Sequence, residues 1–402
     1  MTTKRWLWSI LLLSLVLKVV LVLTSGAMYD LNSDDRSYQI TAQIWLETGM
    51  FTYNDPERPT VFITPALPAL IAVLMKIMGP GFALEQTLRI VQAVMVTAGL
   101  YLLFVIGKRL FSEKVALWAT GLMAFYPPLW LASNLILTES MFVLALMILV
   151  LAALKAMEEP DAKTALWFGL AWAMCVYVRP TIALWPGILF LLLLYWREIP
   201  WQKLVKCGLI VAVVLVLALL PWWVRNYNIS DGQFIPLTKS GGNPLLLGTF
   251  PYGLPSLEEQ RTWHETNNLW VNDEFDNKWA KERIKKGFSE SFSTYLSWYT
   301  IGKFSMFWGD LFYWLPIVKI PKAVVYAMHL TLVVGGFAGM WFARKNRGAV
   351  AIMALLFYMT FLHMIYLAHG RYSVPLMPFM ALFAVYFVTR LRRSVKVPSR
   401  VE

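Results

Sequence analysis

Ten runs of largely apolar residues constrain this chain most, because each approaches the length of a bilayer crossing. They cover 6–26, 85–107, 113–130, 138–157, 163–178, 181–196, 203–223, 322–343, 348–367 and 374–391. A transmembrane helix takes about 20 consecutive apolar residues. So many runs in 402 residues predict an all-α polytopic membrane protein with about ten transmembrane helices. Composition agrees, with 58% hydrophobic and 15% charged residues, against roughly 25% charged in a soluble chain. One aqueous core cannot hide that much apolar surface. Disorder, a collagen-like chain and a small disulfide scaffold are excluded on the same ground.

The short connections then assign sides. Alternate connections carry Lys4 and Arg5; Lys108, Arg109 and Lys114; Lys155 and Lys163; Arg197, Lys203 and Lys206; Arg344, Lys345 and Arg347; and Arg390, Arg392, Arg393, Lys396 and Arg400. Basic residues accumulate on the cytoplasmic side, so both termini are expected inside and the span count even. The net charge of +12, from 36 Lys plus Arg against 24 Asp plus Glu, is then a topology signal rather than a sign of nucleic acid. Residues 62–79 are also apolar, but a full crossing there would invert every later loop, and Pro65 and Pro68 spoil the first turn. They read as a short helix lying on, or dipping into, the outer face.

The expected organisation is a single membrane domain over 1–402. It has a structured outer loop at 27–84 with surface helices, a large outer loop at 224–320 and C-terminal helices at 321–402. Residues 256–290 read as a half-exposed helix. Glu258, Glu259, Arg261, Glu265, Asp273, Glu274, Asp276 and Lys281 would form a solvated cap over the bundle. The first run is long enough to span, so it reads as an anchor despite Ser25-Gly26-Ala27 near its end. Cys175 and Cys207 lie inside apolar runs and supply no disulfide framework. No tandem repeat, P-loop or dinucleotide fingerprint is present.

Four features at outer span ends carry chemistry. The first is Ser33-Asp34-Asp35-Arg36-Ser37-Tyr38. Its ordinary explanation is a helix cap, with Asp34 or Asp35 at the start of an amphipathic helix. The second is Glu139 in Leu137-Thr138-Glu139-Ser140, which favours a helix dipole but is also an ionisable group at the apolar boundary. The third is three arginines that break the positive-inside trend: Arg179, Arg225 and Arg371. Each alone can snorkel to head groups. Three on one face favour an anionic ligand, because arginine forks onto phosphate oxygens. The fourth is Lys239-Ser240-Gly241-Gly242-Asn243-Pro244, either an ordinary turn or a glycine-lined approach for phosphate. His264, His329, His363 and His369 show no metal-ligand spacing. A divalent ion held by Asp34, Asp35 and Glu139 is compatible with the residues but not required by them.

Taken in order, these residues resemble the polytopic glycosyltransferases of the GT-C fold, in the family 39-like branch. That branch contains protein O-mannosyltransferases and the aminoarabinose transferases that modify lipid A. The marks are Asp34-Asp35-Arg36-Ser37-Tyr38 with Gly49 after the helix; Phe125-Tyr126-Pro127-Pro128 and Leu137-Thr138-Glu139-Ser140; Arg179-Pro180-Thr181; Pro221 to Tyr227 followed by Phe234-Ile235-Pro236-Leu237 and Ser240-Gly241-Gly242-Asn243; and Arg371-Tyr372 before Pro375. Two positions depart. Relatives often place a basic residue before a Pro-Pro-Gly-Tyr-Pro-like stretch, where this chain reads Ile63-Thr64-Pro65-Ala66-Leu67-Pro68 and offers only Arg58 nearby. The second acid of the pair is often Glu and is Asp35 here.

The resemblance implies an inverting transferase in a bacterial plasma membrane, working on the outer face and requiring no cofactor. Its donor would be a polyprenyl-phosphate sugar and its acceptor a lipid, a protein or a cell-wall glycan. Asp34 would be the base, Asp35 would orient it, and Glu139 would shape the acceptor side. Arg225, Arg371, Arg179, Tyr372 and Lys239 would face the donor phosphate, with Tyr38, Arg58 and Asn243 as further candidates. The alternative is a transporter or flippase of lipid-linked sugars or another anionic substrate. Transporters place ionisable groups near the midplane on broken helices. Here only Lys18 and Arg89 stand out within spans. A non-catalytic scaffold of the same fold is a further rival.

Overall fold

The computed structural model describes residues 2–264, 266–315 and 318–395. Glu265, Lys396 and Arg400, named above, lie outside them. The helices in chain order are α1 (Thr3–Ser25), α2 (Asp34–Thr48), α3 (Ala66–Met78), α4 (Phe82–Leu110), α5 (Glu113–Ala124), α6 (Pro127–Asn134), α7 (Glu139–Glu158), α8 (Ala162–Val178), α9 (Trp185–Trp196), α10 (Trp201–Ile229), α11 (Gly242–Leu247), α12 (Leu257–Arg261), α13 (Leu269–Glu290), α14 (Phe292–Ser297), α15 (Lys303–Gly309), α16 (Lys322–Ala343), α17 (Arg347–Ile365), α18 (Gly370–Ser373) and α19 (Met377–Val395). No strand occurs among the described residues.

Seven of these segments are long and apolar enough to cross a membrane: α1, α4, α7, α10, α16, α17 and the continuous stretch Gly370–Arg392. The pair α5 and α6 makes an eighth, bent by 57°. The shorter apolar segments Ala162–Val178 and Pro180–Trp196 bring the bundle to about the ten expected. It is an integral, multi-pass architecture. Helix α3 has 13 residues, about 20 Å at 1.5 Å per residue, well short of a crossing. It packs beside α2 through Leu67, Ile71, Ala72 and Met75.

The run expected to span 113–130 is not one straight helix. Pro127 and Pro128 offer no N–H, and the residue before proline is driven extended. Tyr126 accordingly takes φ −86°, ψ 110°. The break frees backbone groups in the interior, and neighbouring helices satisfy them. The Ala124 carbonyl accepts from Ser14 Oγ at 2.9 Å and Trp130 Nε1 at 3.0 Å. Lys18 donates to the same Ser14 hydroxyl at 2.5 Å. Arg89 Nε donates to the Asn134 carbonyl at the end of α6 at 3.0 Å, and Gln92 Nε2 reaches the Leu135 and Leu137 carbonyls at 2.8 and 3.2 Å. The two charges that stand out within spans, Lys18 and Arg89, thus serve the broken helix. The buried stripe of α1, Leu7, Leu11, Ser14, Lys18 and Leu21, keeps the spacing of one helix face.

Next to α5, α16 lies directly on α19. A Cβ on Gly339 would stand 2.0 Å from the Phe383 carbonyl oxygen, whereas one on Gly335 would meet Ala384 Cβ at 3.2 Å. Gly339→Ala is therefore expected to destabilise the protein by about 1–3 kcal/mol, and Gly335→Ala by clearly less. Thermal melting of both variants in one detergent checks this; equal melting temperatures would contradict the close α16–α19 packing.

Candidate active site

Two acids and two arginines from four separate elements meet at one end of the bundle. Asp34 opens α2, Glu139 opens α7, Arg179 follows the last turn of α8, and Arg371 sits in α18. Helix starts carry a partial positive charge and helix ends a partial negative one. Carboxylates at the starts of α2 and α7, and an arginine at the end of α8, therefore suit their backbones.

Glu139 is the buried centre, with 1% exposure. Its Oε1 accepts from Arg179 Nη2 at 2.5 Å and also from Arg371 Nε. Arg179 Nε further donates to Thr138 Oγ1 at 2.8 Å, and its guanidinium lies 5.4 Å from the Phe142 ring and 5.7 Å from the Tyr372 ring. Arg371 Nη1 reaches Asp34 Oδ2 at 3.0 Å. Arg371 thereby bridges two carboxylates, and the four charges cancel. Glu139 Oε2 is buried without a hydrogen-bond partner among the described residues.

The two adjacent aspartates differ completely. Asp35 is 2% exposed, and its carboxylate accepts the N–H groups of Leu31 at 2.7 Å and Ser33 at 2.9 Å. It fixes the loop entering α2, so Asp35 is a backward-facing clamp, and neither aspartate is the helix cap expected. The N-cap position belongs to Ser33, which makes no side-chain cap bond. Asp34 keeps 41% side-chain exposure. Tyr53 Oη donates to its Oδ1 at 2.9 Å. Burial, then the charge of Asp34, pushes the Tyr53 phenol above its ordinary range, so it remains a donor. Tyr38 is raised for the same reasons, and its ring lies 5.9 Å from that of Tyr53.

The other sequence candidates stand apart. Arg225 does not join Arg179 and Arg371. Its Nη2 donates to the carbonyls of Phe51 at 2.6 Å and Thr60 at 2.7 Å, and the guanidinium packs on the Phe51 and Trp222 rings at 5.1 and 4.7 Å. It ties loop 51–60, which carries Tyr53, to α10. Lys239 Nζ pairs with Glu274 at 2.5 Å, and the Lys239 N–H binds the Val61 carbonyl at 2.9 Å. In the glycine turn beside Asn243, the Gly242 N–H already serves Asp273 Oδ1 at 2.8 Å. The turn closes α11 against α13 rather than lining a phosphate site. Arg58 is exposed on loop 51–60, where its backbone N–H binds Asp55 Oδ1 at 3.1 Å. Tyr372 stacks by the cluster, 4.9 Å from the His363 ring. Among the described residues, no three His, Cys, Asp or Glu side chains are placed to share a metal ion. Asp34, Asp35 and Glu139 face N–H groups, a phenol and guanidinium groups instead.

Three contributors escaped the sequence reading. Tyr53 had no motif to mark it. His369 Nδ1 accepts the Arg371 N–H at 3.0 Å, and burial lowers its pKa, which keeps that nitrogen an acceptor. Lys303, fully buried, donates to the Ile365 and Tyr366 carbonyls at 3.2 and 2.7 Å and lies 3.8 Å over the Tyr299 ring. Burial pulls its pKa down to about 7. It anchors the end of α17 just before the turn that presents Arg371.

Solved structures share this arrangement of helices. ArnT from Cupriavidus metallidurans, solved with undecaprenyl phosphate bound, matches with a TM-score of 0.57 and 17% identity, over 94% of this chain and 60% of that one. AglB, the archaeal oligosaccharyltransferase from Archaeoglobus fulgidus, solved with an inhibitory peptide and a dolichol-phosphate, matches with a TM-score of 0.57 and 13% identity, over 99% of this chain and 53% of that one. The chain has the GT-C fold. It spans about 60% of the ArnT chain and about half of the AglB chain. The sequence family described as dolichyl-phosphate-mannose-protein mannosyltransferase matches residues 58–223. That stretch of the GT-C bundle includes Glu139 and Arg179. No curated protein matches the chain in sequence.

Removing one partner of a buried ion pair leaves an uncompensated charge. Glu139→Gln should therefore destabilise the bundle by about 3 kcal/mol, measured as an earlier thermal transition in detergent. Arg225→Met should instead raise hydrogen exchange at 51–60 and leave exchange at 369–373 unchanged. Protection lost equally at both segments would contradict the separation of the two arginines.

Proposed function

We propose that the protein is a membrane glycosyltransferase that moves a sugar from a polyprenyl-phosphate donor to an acceptor nucleophile, with inversion at the anomeric carbon. The observation that carries this reading is the half-exposed Asp34, held between Tyr53 and Arg371 beside a buried Glu139 and Arg179. The GT-C likeness supports the class. The lipid phosphates held by ArnT and AglB support the donor type. The basic connections support an active site on the outer face, with both termini cytoplasmic.

In this mechanism the acceptor O–H or N–H attacks the anomeric carbon, the bond from that carbon to the phosphate oxygen breaks, and the proton passes to Asp34. Asp35 is committed to backbone N–H groups and holds Asp34 in place. The leaving polyprenyl phosphate gains charge, which Arg371 and Arg179 stabilise electrostatically. The cluster is neutral before donor binds, so an arriving phosphate competes with Asp34 for Arg371. When Arg371 turns to the phosphate, Asp34 Oδ2 loses its guanidinium partner and is free to take the acceptor's proton. Glu139 Oε2, buried and without a hydrogen-bond partner among the described residues, is an unused acceptor behind the site. A lateral cavity of about 670 Å³, lined in part by Ile301, Phe304, Trp308 and Val333, reaches Asp310. Asp310 Oδ2 accepts the Gly370 N–H at 3.3 Å next to Arg371. The cavity suits the first isoprene units.

A panel of polyprenyl-phosphate sugars presented to the protein in liposomes tests the proposal. Turnover with one donor is expected, and Asp34→Asn should reduce it by about 10²–10⁴ with unchanged melting. Full turnover in that variant would remove Asp34 from the mechanism. Movement of intact lipid-linked sugar across the bilayer would replace the transferase with a flippase.

A further inference from the structure

A second place in the molecule binds nothing that the chemistry above requires. Helices α5 and α16 both pack on α19, and between them runs a groove of about 1540 Å³ with residues of α19 in its wall. That volume exceeds the roughly 300–1,000 Å³ of a pocket for a drug-sized ligand. Its sides are apolar and open: Trp118, Leu122, Val334, Phe342 and Val388 line it and remain exposed. One end is different. There the lining contains Lys114, Lys345, Arg347, Arg390 and Arg392, and no Asp or Glu.

That end lies far from the Asp34 cluster. The start of α4 is tied to the Asp34 loop, with Glu85 Oε1 3.6 Å from Arg36 Nη1. Its other end, Leu110, is 25 residues beyond Glu85, about 38 Å away at 1.5 Å per residue. The Leu110 carbonyl accepts from Asn346 Nδ2 at 2.8 Å. This bond fastens the α4–α5 turn to the α16–α17 turn and so brings Lys114 toward Lys345 and Arg347. Of the adjacent carboxylates, Glu113 lies 3.6 Å from Lys108, outside the groove, while Glu198 pairs with Arg347 and neutralises that one member of the basic end, leaving Lys114, Lys345 and Arg392 to a ligand. Bringing like charges together at the mouth of an apolar groove is unfavourable unless an anion sits among them.

We propose that this groove is a docking site for an anionic glycerophospholipid, with its phosphate among Lys114, Lys345 and Arg392 and an acyl chain along Trp118, Val334 and Val388. Charge and shape both select this occupant. The mouth is cationic, and the groove is long, apolar and open sideways to the bilayer. A basic pocket between transmembrane helices is a recognised setting for lipid head groups. The site lies at the opposite end of the bundle from the proposed transfer chemistry and does not depend on it.

Native mass spectrometry of the detergent-purified full chain tests this, with phosphatidylglycerol and phosphatidylcholine of identical acyl chains. The wild type is expected to retain phosphatidylglycerol with roughly tenfold preference. The triple variant Lys114→Gln, Lys345→Gln and Arg392→Gln should bind the two equally. Lys281→Gln with Lys285→Gln on α13, which lowers net charge elsewhere, should keep the preference. If the triple variant does not fold, Lys345→Gln and Arg392→Gln separately should each lose part of the preference. Equal binding in the wild type, or an unchanged preference in the variants, would overturn the proposal. Displacement of phosphatidylglycerol by equimolar undecaprenyl phosphate would overturn it too, in favour of a carrier-lipid site.

Discussion

The buried carboxylate of Glu139 is the constraint on which the rest of this end of the molecule depends. A charge almost wholly removed from water is tolerated only when opposite charge and hydrogen bonds meet it. Arg179 and Arg371 supply both. Meeting that need draws three distant parts of the chain together, because the arginines follow α8 and precede α19 while Glu139 begins α7. Arg371 then has a second bond to give, and it gives it to Asp34. One guanidinium thus links the buried acid that holds the site to the half-exposed acid that we propose accepts a proton.

The same logic runs through the bundle interior. The bend between α5 and α6 would leave backbone carbonyls unpaired in an apolar setting, where each costs several kcal/mol. Ser14, Arg89 and Gln92 meet them from α1 and α4. The bend shapes the chain toward Thr138 and Glu139, so these polar residues within spans act indirectly on the site. They act as structural supports, each bonded to the backbone of the broken span or to a neighbour that is. Loop 51–60 is held in an equivalent way, by the two carbonyl bonds of Arg225, and it brings Tyr53 to Asp34.

Much of the architecture was readable in the sequence because bilayer length and apolar composition are local properties. The runs at 6–26, 85–107, 138–157 and 322–343 became α1, α4, α7 and α16, and 62–79 contained the short α3. The run at 113–130 misled because hydropathy averages over the prolines that break it. Glu139, Arg179 and Arg371 were identifiable as charges at span ends. Arg225 looked the same by that criterion, and only its partners separate it from them, since a guanidinium bound to two carbonyls and one bound to a carboxylate share a sequence signature. Asp34 and Asp35 were likewise indistinguishable until the loop at 31–33 showed which of them is occupied. Tyr53 and Lys303 gave no signal, because their roles exist only through contacts far away in sequence.

We propose that Asp34 is the base in a single displacement, with Arg371 passing from its carboxylate to the donor phosphate. The most direct test is the anomeric configuration of the transferred sugar, read by NMR coupling constants from a polyprenyl-phosphate donor of defined configuration. The account predicts inversion in every transferred sugar. Retention would mean that the transfer is not a single inverting displacement and that Asp34 does not act as its base.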